Sequence, residues 1–167
     1  LRTVTGVQTC ALPISAEFVD ISYPVRVRTY ALNPDTGGPG RWRGGCGVVR
    51  ELEILAAEAV LSVRLDAIEF PPWGTAGGQS GRAGRCIVNP GRSDERILRP
   101  LSDGNVLKQG DIIRLETGGG GGWGHPFDRE ESRVLADVRG GFVSRESAER
   151  DYGVILRSEE HTSELQS

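Results

Sequence analysis

The stretch Gly110-Asp-Ile-Ile-Arg-Leu-Glu-Thr-Gly-Gly-Gly-Gly-Gly-Trp-Gly-His-Pro-Phe-Asp-Arg129 changes character twice. Ile113 and Leu115 alternate with Arg114 and Glu116, the period of two of a strand with one buried face. Five glycines follow, Gly118 to Gly122, and after Pro126 the pattern turns helical. Glycine loses more backbone freedom on folding than any other residue, so an ordered run of this length is costly. It is expected where the chain needs positive φ and no side chain fits: against a ligand, against a second backbone, or in a tight corner.

On the N-terminal side the chain reads as β. Val25-Arg-Val-Arg-Thr-Tyr30, Arg50-Glu-Leu-Glu-Ile54 and Leu61-Ser-Val-Arg-Leu-Asp66 alternate, while Cys86–Val88, Ile97–Leu98 and Asp111–Glu116 are further strand candidates. Turn clusters separate them, at Asn33–Gly40, Pro71–Gly74, Gly77–Gly81, Asn89–Gly91 and Ser102–Gly104. On the C-terminal side, Asp128 with Glu131 has the form of a capping box, and Val134, Leu135 and Val138 make an apolar stripe that Gly140-Gly141 would end. Ser144 is placed to cap a second helix, Arg145 to Asp151. The expected fold is mainly β, an antiparallel sandwich or barrel-like sheet, with two short C-terminal α-helices.

Both ends of the chain read as translated sequencing adapter. One oligonucleotide encodes Arg157-Ser-Glu-Glu-His-Thr-Ser-Glu-Leu-Gln-Ser167, and its reverse complement encodes Val4-Thr-Gly-Val-Gln-Thr-Cys-Ala-Leu-Pro-Ile14. Residues 1–15 and 157–167 are therefore expected not to be native, and 16–156 to be the protein proper. The net charge of the chain is −3; the ends carry two Arg against three Glu, leaving −2 for the middle. This near-neutral mixture favours neither nucleic acid nor an anionic membrane, and no apolar run reaches membrane-spanning length. Cys46 and Cys86 make no disulfide framework, which suits a reducing cytoplasm. His125 is the only histidine outside the ends, so neither a two-histidine zinc site nor a Ser-His-Asp order can be built, and no metal site is expected here.

Candidate site residues are few. The glycine run lacks the Gly-Lys-Ser/Thr ending of a phosphate loop, and Asp128, Glu130 and Glu131 at the following helix start would repel phosphate. Backbone amides of Gly119, Gly120 and Gly121 remain candidates for a nest facing another anion or a substrate oxyanion, with a glycine corner against another part of a larger protein as the plainer reading. Arg41 and Arg43 flank Trp42 between glycines and suit a bidentate clamp on a carboxylate or phosphorylated intermediate; the plainer reading pairs one of them with a carboxylate such as Asp35 and merely orders the loop. His125 is the one weak candidate for acid or base catalysis. Cys46 and Cys86 read as small buried residues, and Trp42, Trp73 and Trp123, each beside glycine, as core or interface anchors.

Four blocks in order carry a resemblance: Gly37–Glu51, Pro71–Gly78, Gly110–Pro126 and Asp137–Leu156. Together they resemble the C-terminal end of the hydantoinase B / 5-oxoprolinase family over residues 22–156. The resemblance implies a C-terminal fragment of an ATP-dependent hydrolase acting on the amide bond of a hydantoin- or 5-oxoproline-like ring, inactive alone. It implies a hydantoinase A-type partner, as separate subunit or fused domain, that uses ATP to phosphorylate the substrate carbonyl, and hence a hetero-oligomer. No cofactor is expected on this fragment; any divalent metal and its ligands would belong to the N-terminal part. The family often carries Asp where His125 stands, which favours capping or packing over catalysis. Two alternatives stay open. One is an acetone carboxylase α-type fragment. The other is a non-catalytic β module resembling a lipoyl or biotinyl carrier domain, suggested by Leu107-Lys-Gln-Gly-Asp-Ile-Ile113 before a glycine turn but lacking a lysine at a hairpin tip.

Overall fold

The computed structural model describes residues 16–156, so the two ends expected to be adapter lie outside the described residues. A short helix α1 (Ala16–Ser22), which no sequence signal announced, leads into strands β1 (Val25–Asn33), β2 (Gly47–Ile54), β3 (Glu58–Arg64), β4 (Arg85–Val88), β5 (Arg96–Leu98), β6 (Leu101–Lys108) and β7 (Ile112–Glu116). A single 3-10 turn at Pro126–Asp128 precedes α2 (Glu131–Arg139) and α3 (Arg145–Tyr152). The strands form a five-stranded sheet in the order β1-β2-β7-β4-β5 and a two-stranded sheet of β3 and β6, and every pairing is antiparallel. This is an open two-layer arrangement of sheets with short helices, and no barrel closes.

Period-two alternation decides which face goes inside. Ile54 of β2, Ile113 of β7, and Cys86 and Val88 of β4 share one face of the large sheet and pack with Ala59 and Val63 of β3, Leu107 of β6 and Val19 of α1. The opposite face carries charge: Arg114 lies between Glu51 (3.4 Å) and Glu116 (2.8 Å), and Arg85 also pairs with Glu116. Glu116 is itself buried; Arg85 donates to its carboxylate and Arg114 adds a second ion pair. In β1 the alternation does not run through as the sequence suggests. The register shifts between Val27 and Thr29, so Val27 faces the core opposite Leu52 while Thr29 bonds to Glu51 on the charged side at 3.0 Å.

Ser102-Asp-Gly104, expected as a turn, lies inside β6. The β3–β6 register shifts between Leu61 and Val63, Gly104 takes φ of 70°, and Asp103 swings out to grip Arg64. A bulge needs the same turn-forming residues as a loop, which is why the two read alike in sequence. β6 and β7 belong to different sheets, so Leu107–Ile113 is no hairpin and the carrier-domain likeness fails.

The C-terminal layer follows expectation except at its start. Asp128 closes the 3-10 turn and caps nothing; Glu130 precedes α2 without a side-chain cap bond. Gly140 ends α2, and Ser144 Oγ accepts from Ser147 N at 3.1 Å to cap α3. Val134, Val143, Ala148 and Tyr152 form a second small core. Among the described residues no helix is long and apolar enough to cross a membrane.

Candidate functional site

The glycine run is the centre of a backbone bundle. The segments around 36–45 and 72–82, expected as turns, run alongside it and bond to it: Gly38 N donates to Gly120 O (2.8 Å), Gly120 N to Gly45 O (2.9 Å), Gly119 N to Arg82 O (3.0 Å), Gly122 N to Gln79 O (2.9 Å) and Thr75 N to Gly122 O (2.9 Å). The flanking segments also bond to each other, Gln79 N to Pro39 O at 2.8 Å and Arg82 N to Thr36 O at 2.8 Å. A Cβ on Gly119 would come to 1.8 Å from Thr36 O, on Gly121 to 2.0 Å from Trp73 O, and on Gly122 to 2.2 Å from Pro39 O. From the other side, a Cβ on Gly44 would lie 2.0 Å from Gly120 O and one on Gly78 2.2 Å from Gly122 O. Main chains pack here where side chains normally would, the crowding that restricts the axis of a triple helix to glycine.

This geometry corrects two expectations. No residue from Gly118 to Gly122 has positive φ, so the glycines serve close approach and not conformation. The amides of Gly119 and Gly120 are already bonded to neighbouring carbonyls and are not free to line an anion nest. Of the readings offered by the sequence, the structure has the close approach to a second backbone, which comes from this chain's own segments.

Arg41 and Arg43 part company. Arg41 is exposed, its amide donating to Gly124 O (3.2 Å) and its carbonyl accepting from Arg129 Nη1 (2.9 Å). Arg43 turns under the helical layer, where its Nη1 donates to Gly44 O at 2.6 Å and its guanidinium faces Phe142, 5.0 Å from the ring centre. Its carboxylate partner is Asp137 of α2, 3.3 Å from Nε, and not Asp35. Arg129 Nη2 reaches the same carboxylate at 2.7 Å. The two arginines therefore form no common clamp on a ligand, and Arg43 instead locks the 36–45 segment to α2. Asp35 accepts from Ser144 N at 2.8 Å at the entry to α3. Burial opposes its charge, but the Ser144 amide, the hydroxyls of Ser144 and Ser147 and the nearby Arg82 together hold its carboxyl below the ordinary value.

Around Asp137 two buried guanidiniums share one carboxylate. The Nε atoms of Arg43 and Arg129 and the Tyr152 hydroxyl are buried without a hydrogen-bond partner, Arg43 Nε being near Asp137 but off the bonding direction. Burial pushes the Tyr152 phenol up to about 12, with Asp137 and Asp151 adding and Arg129 and Arg43 opposing. Arg129, Asp137 and Tyr152 carry no mark in the sequence, because nothing local identifies residues that meet across such separations.

His125 caps the 3-10 turn, its Nδ1 accepting from Phe127 N at 3.3 Å, and its exposed ring meets Phe127 edge-on at 5.2 Å. Among the described residues no nucleophile or carboxylate bonds to it, so capping is the role its geometry carries. It lies at one end of the bundle with Arg41 and a set of exposed rings. Trp42 and Trp123 form a paired bridge, Thr75 bridges to Trp123, and Arg133 stacks on Trp42 at 4.8 Å. Trp73 is 77% exposed, Phe127 64%, and Trp42 and Trp123 49% each, so the expected anchors are uncovered here. Cys86 is fully buried in the main core; Cys46 is half-buried and contacts Arg43 and the Phe142 carbonyl. Among the described residues no three His, Cys, Asp or Glu side chains gather as metal ligands.

Residues 2–126 match the family model described as hydantoinase B/oxoprolinase. The chain is 37% identical over 145 residues to the B component of a putative D-/L-hydantoinase of Pseudomonas sp. (strain NS671), covering 86% of this chain and 24% of that protein. It is 35% identical over 146 residues to the beta component of the caprolactamase of Pseudomonas jessenii, covering 84% and 25%. The crystal structure of the ATP-dependent caprolactamase from Pseudomonas jessenii superimposes with a TM-score of 0.73 at 28% identity, over 90% of this chain and 27% of that one. A nucleotide-free acetone carboxylase structure gives 0.66 at 20% identity, over 86% and 23%, a likeness of fold alone. The chain spans about a quarter of the length of these two relatives.

Proposed function

The chain belongs to the hydantoinase B/oxoprolinase family, and from that premise we propose that residues 16–156 are the C-terminal segment of the B-type component of an ATP-dependent cyclic amide hydrolase. The observation that carries this is the glycine bundle. Its three segments overlap the Gly37–Glu51, Pro71–Gly78 and Gly110–Pro126 blocks on which the family resemblance rests, and they close on one another into a single unit. The segment acts as scaffold. It offers no nucleophile with a base, no gathered metal ligands, and a glycine run whose amides are largely spent on its own backbone. ATP would be handled by an A-type partner in a hetero-oligomer of the cytoplasm, and catalytic side chains with any divalent ion would come from the rest of the polypeptide. The rings exposed at the bundle end, Trp42, Trp73, Trp123 and Phe127, are where that remainder would cover it. The terminal adapter-like residues have no part in this function.

The test is to recover the gene of family length and express it with its A-type partner. Hydantoin, 5-oxoproline and caprolactam are then offered with ATP, reading ring opening and phosphate release together. ATP-coupled ring opening is the expected result, and its absence with every cyclic amide refutes the proposal. The acetone carboxylase fold likeness keeps one second reading, an α-type carboxylase component. Turnover of acetone with bicarbonate and ATP, in place of ring opening, would establish it. The 167-residue chain alone is expected to hydrolyse none of these amides; measurable turnover would place the catalytic groups on it.

A further inference from the structure

A recess of about 240 Å³ opens between the 35–39 turn, the 79–82 segment and α3. A water takes about 30 Å³ of liquid, so the recess holds roughly eight atoms of water size, the scale of a small metabolite. Its charged lining is Asp35, Arg82, Arg150 and Asp151, with Gln79 and Ser80 beside them. Two of these charges are already engaged with each other: Arg150 grips Asp151 at 2.7 and 2.8 Å and donates to Ser147 Oγ at 3.0 Å.

The other two are not. Arg82 is exposed, and no ion pair joins it to Asp35 or to any other carboxylate among the described residues. Yet the two segments that bear them are pinned together, Arg82 N donating to Thr36 O at 2.8 Å and Asp35 N to Phe142 O at 3.1 Å. Opposite charges thus line one recess without closing into an ion pair. A lone anion would gain Arg82 but meet Asp35 and Asp151, and a lone cation the converse. A molecule carrying both charges turns one unclosed pair into two charge-assisted contacts.

We propose that this recess binds a small zwitterion, an aliphatic amino carboxylate, with its carboxylate on Arg82 and its ammonium on Asp35. This deepens the functional reading, because hydrolysis of a lactam such as 5-oxoproline or caprolactam leaves an amine and a carboxylate on one chain, whereas a hydantoin leaves a ureido acid without the amine; the recess is then a product-class site for lactams. The link to that reading enters only in the choice of probe.

The test uses the full 167-residue chain, isotope-labelled and titrated by NMR with 6-aminohexanoate. Glycine and 4-aminobutyrate serve as shorter rulers, and hexanoate and hexylamine as single-charge controls. Saturable shifts at residues 35–39, 79–82 and α3 are expected with at least one amino carboxylate, and binding at least about tenfold weaker for each single-charge control. R82Q is expected to weaken the zwitterion about tenfold, and D35N likewise. D35N removes the charge while its amide oxygen can still accept from Ser144 N, so α3 stays joined to the turn. Equal binding of hexanoate, no saturation by any amino carboxylate, or an unchanged response in R82Q overturns the inference. Ring opening by the family-length enzyme is measured separately. A silent recess beside an active enzyme removes only this inference, and a binding recess beside an inactive one removes only the functional reading.

Discussion

Alanine at Gly119 tests whether the glycine run is a packing strand or a ligand loop. The new methyl would stand 1.8 Å from Thr36 O and 2.3 Å from its carbonyl carbon. A carbon normally approaches such an oxygen no closer than about 3.3 Å, so one segment must retreat by roughly 1.5 Å. The bonds from Gly119 N to Arg82 O and from Arg82 N to Thr36 O tie Gly119 and Thr36 to the same residue, so forcing the two apart by this distance strains both to breaking. Losing two backbone bonds at about 1 kcal/mol each, with about 1–3 kcal/mol for overpacking, gives a destabilisation of about 3–5 kcal/mol. At roughly 3 °C per kcal/mol for a domain of this size, Tm falls by about 10–15 °C. Gly45→Ala is the control: its Cβ meets nothing within 4 Å and its φ is not positive. It is expected to be neutral or to stabilise by up to about 1 kcal/mol through the unfolded chain. Calorimetry or urea unfolding of the pair decides the matter. If Gly119→Ala matches Gly45→Ala within about 1 kcal/mol, the bundle is not what requires these glycines.

Asp137→Asn strands two buried guanidiniums and is expected to cost about 3 kcal/mol by urea unfolding, whereas loss of an exposed pair such as Arg133–Glu130 costs less than about 1 kcal/mol; similar costs would refute the shared-carboxylate clamp. Burial opposes ionisation of Asp35 and Asp111, but the Ser144 amide at the first and the Lys108 amide with Asn89 at the second bring both carboxyls below their ordinary value. A depressed folded-state pKa means that their contribution is complete above the unfolded value of about 3.9 and is lost as pH falls through the lower folded values. Unfolding measured from about pH 5 downward should therefore be less acid-sensitive in D35N and D111N than in the parent, and identical pH slopes would count against it. Burial raises the Cys86 thiol to about 11, so iodoacetamide at about pH 8 should leave it unmodified until the chain unfolds, as read by peptide mass mapping.

Much of this protein is legible without coordinates because its signals are local. Alternation over Arg50–Ile54 and Asp111–Glu116 marks strands, and faces, since successive side chains of a pleated chain point to opposite sides. Ser144 announces its helix because a cap bond spans only three residues, to Ser147 N. The same locality explains the failures. Gly104 reads as a turn and is a bulge, because either use asks for positive φ and only the partner strand distinguishes them. Asp128 has the spelling of a capping box, but Pro126 starts a 3-10 turn that ends on it.

What the tertiary structure alone decided is where the long-range partners lie. That Gly118–Gly122 is costly follows from composition; that the cost is met by segments 36–45 and 72–82 closing on it does not, since a glycine has no side chain to name its neighbour. Arg43 is a candidate ligand arginine in sequence and a buried strut in the fold, because Asp137 stands 94 positions away and only the stacking of α2 brings it within reach. Arg82 attracts no notice along the chain. It shares a recess with Asp35 because the bond from Arg82 N to Thr36 O sets the two segments side by side.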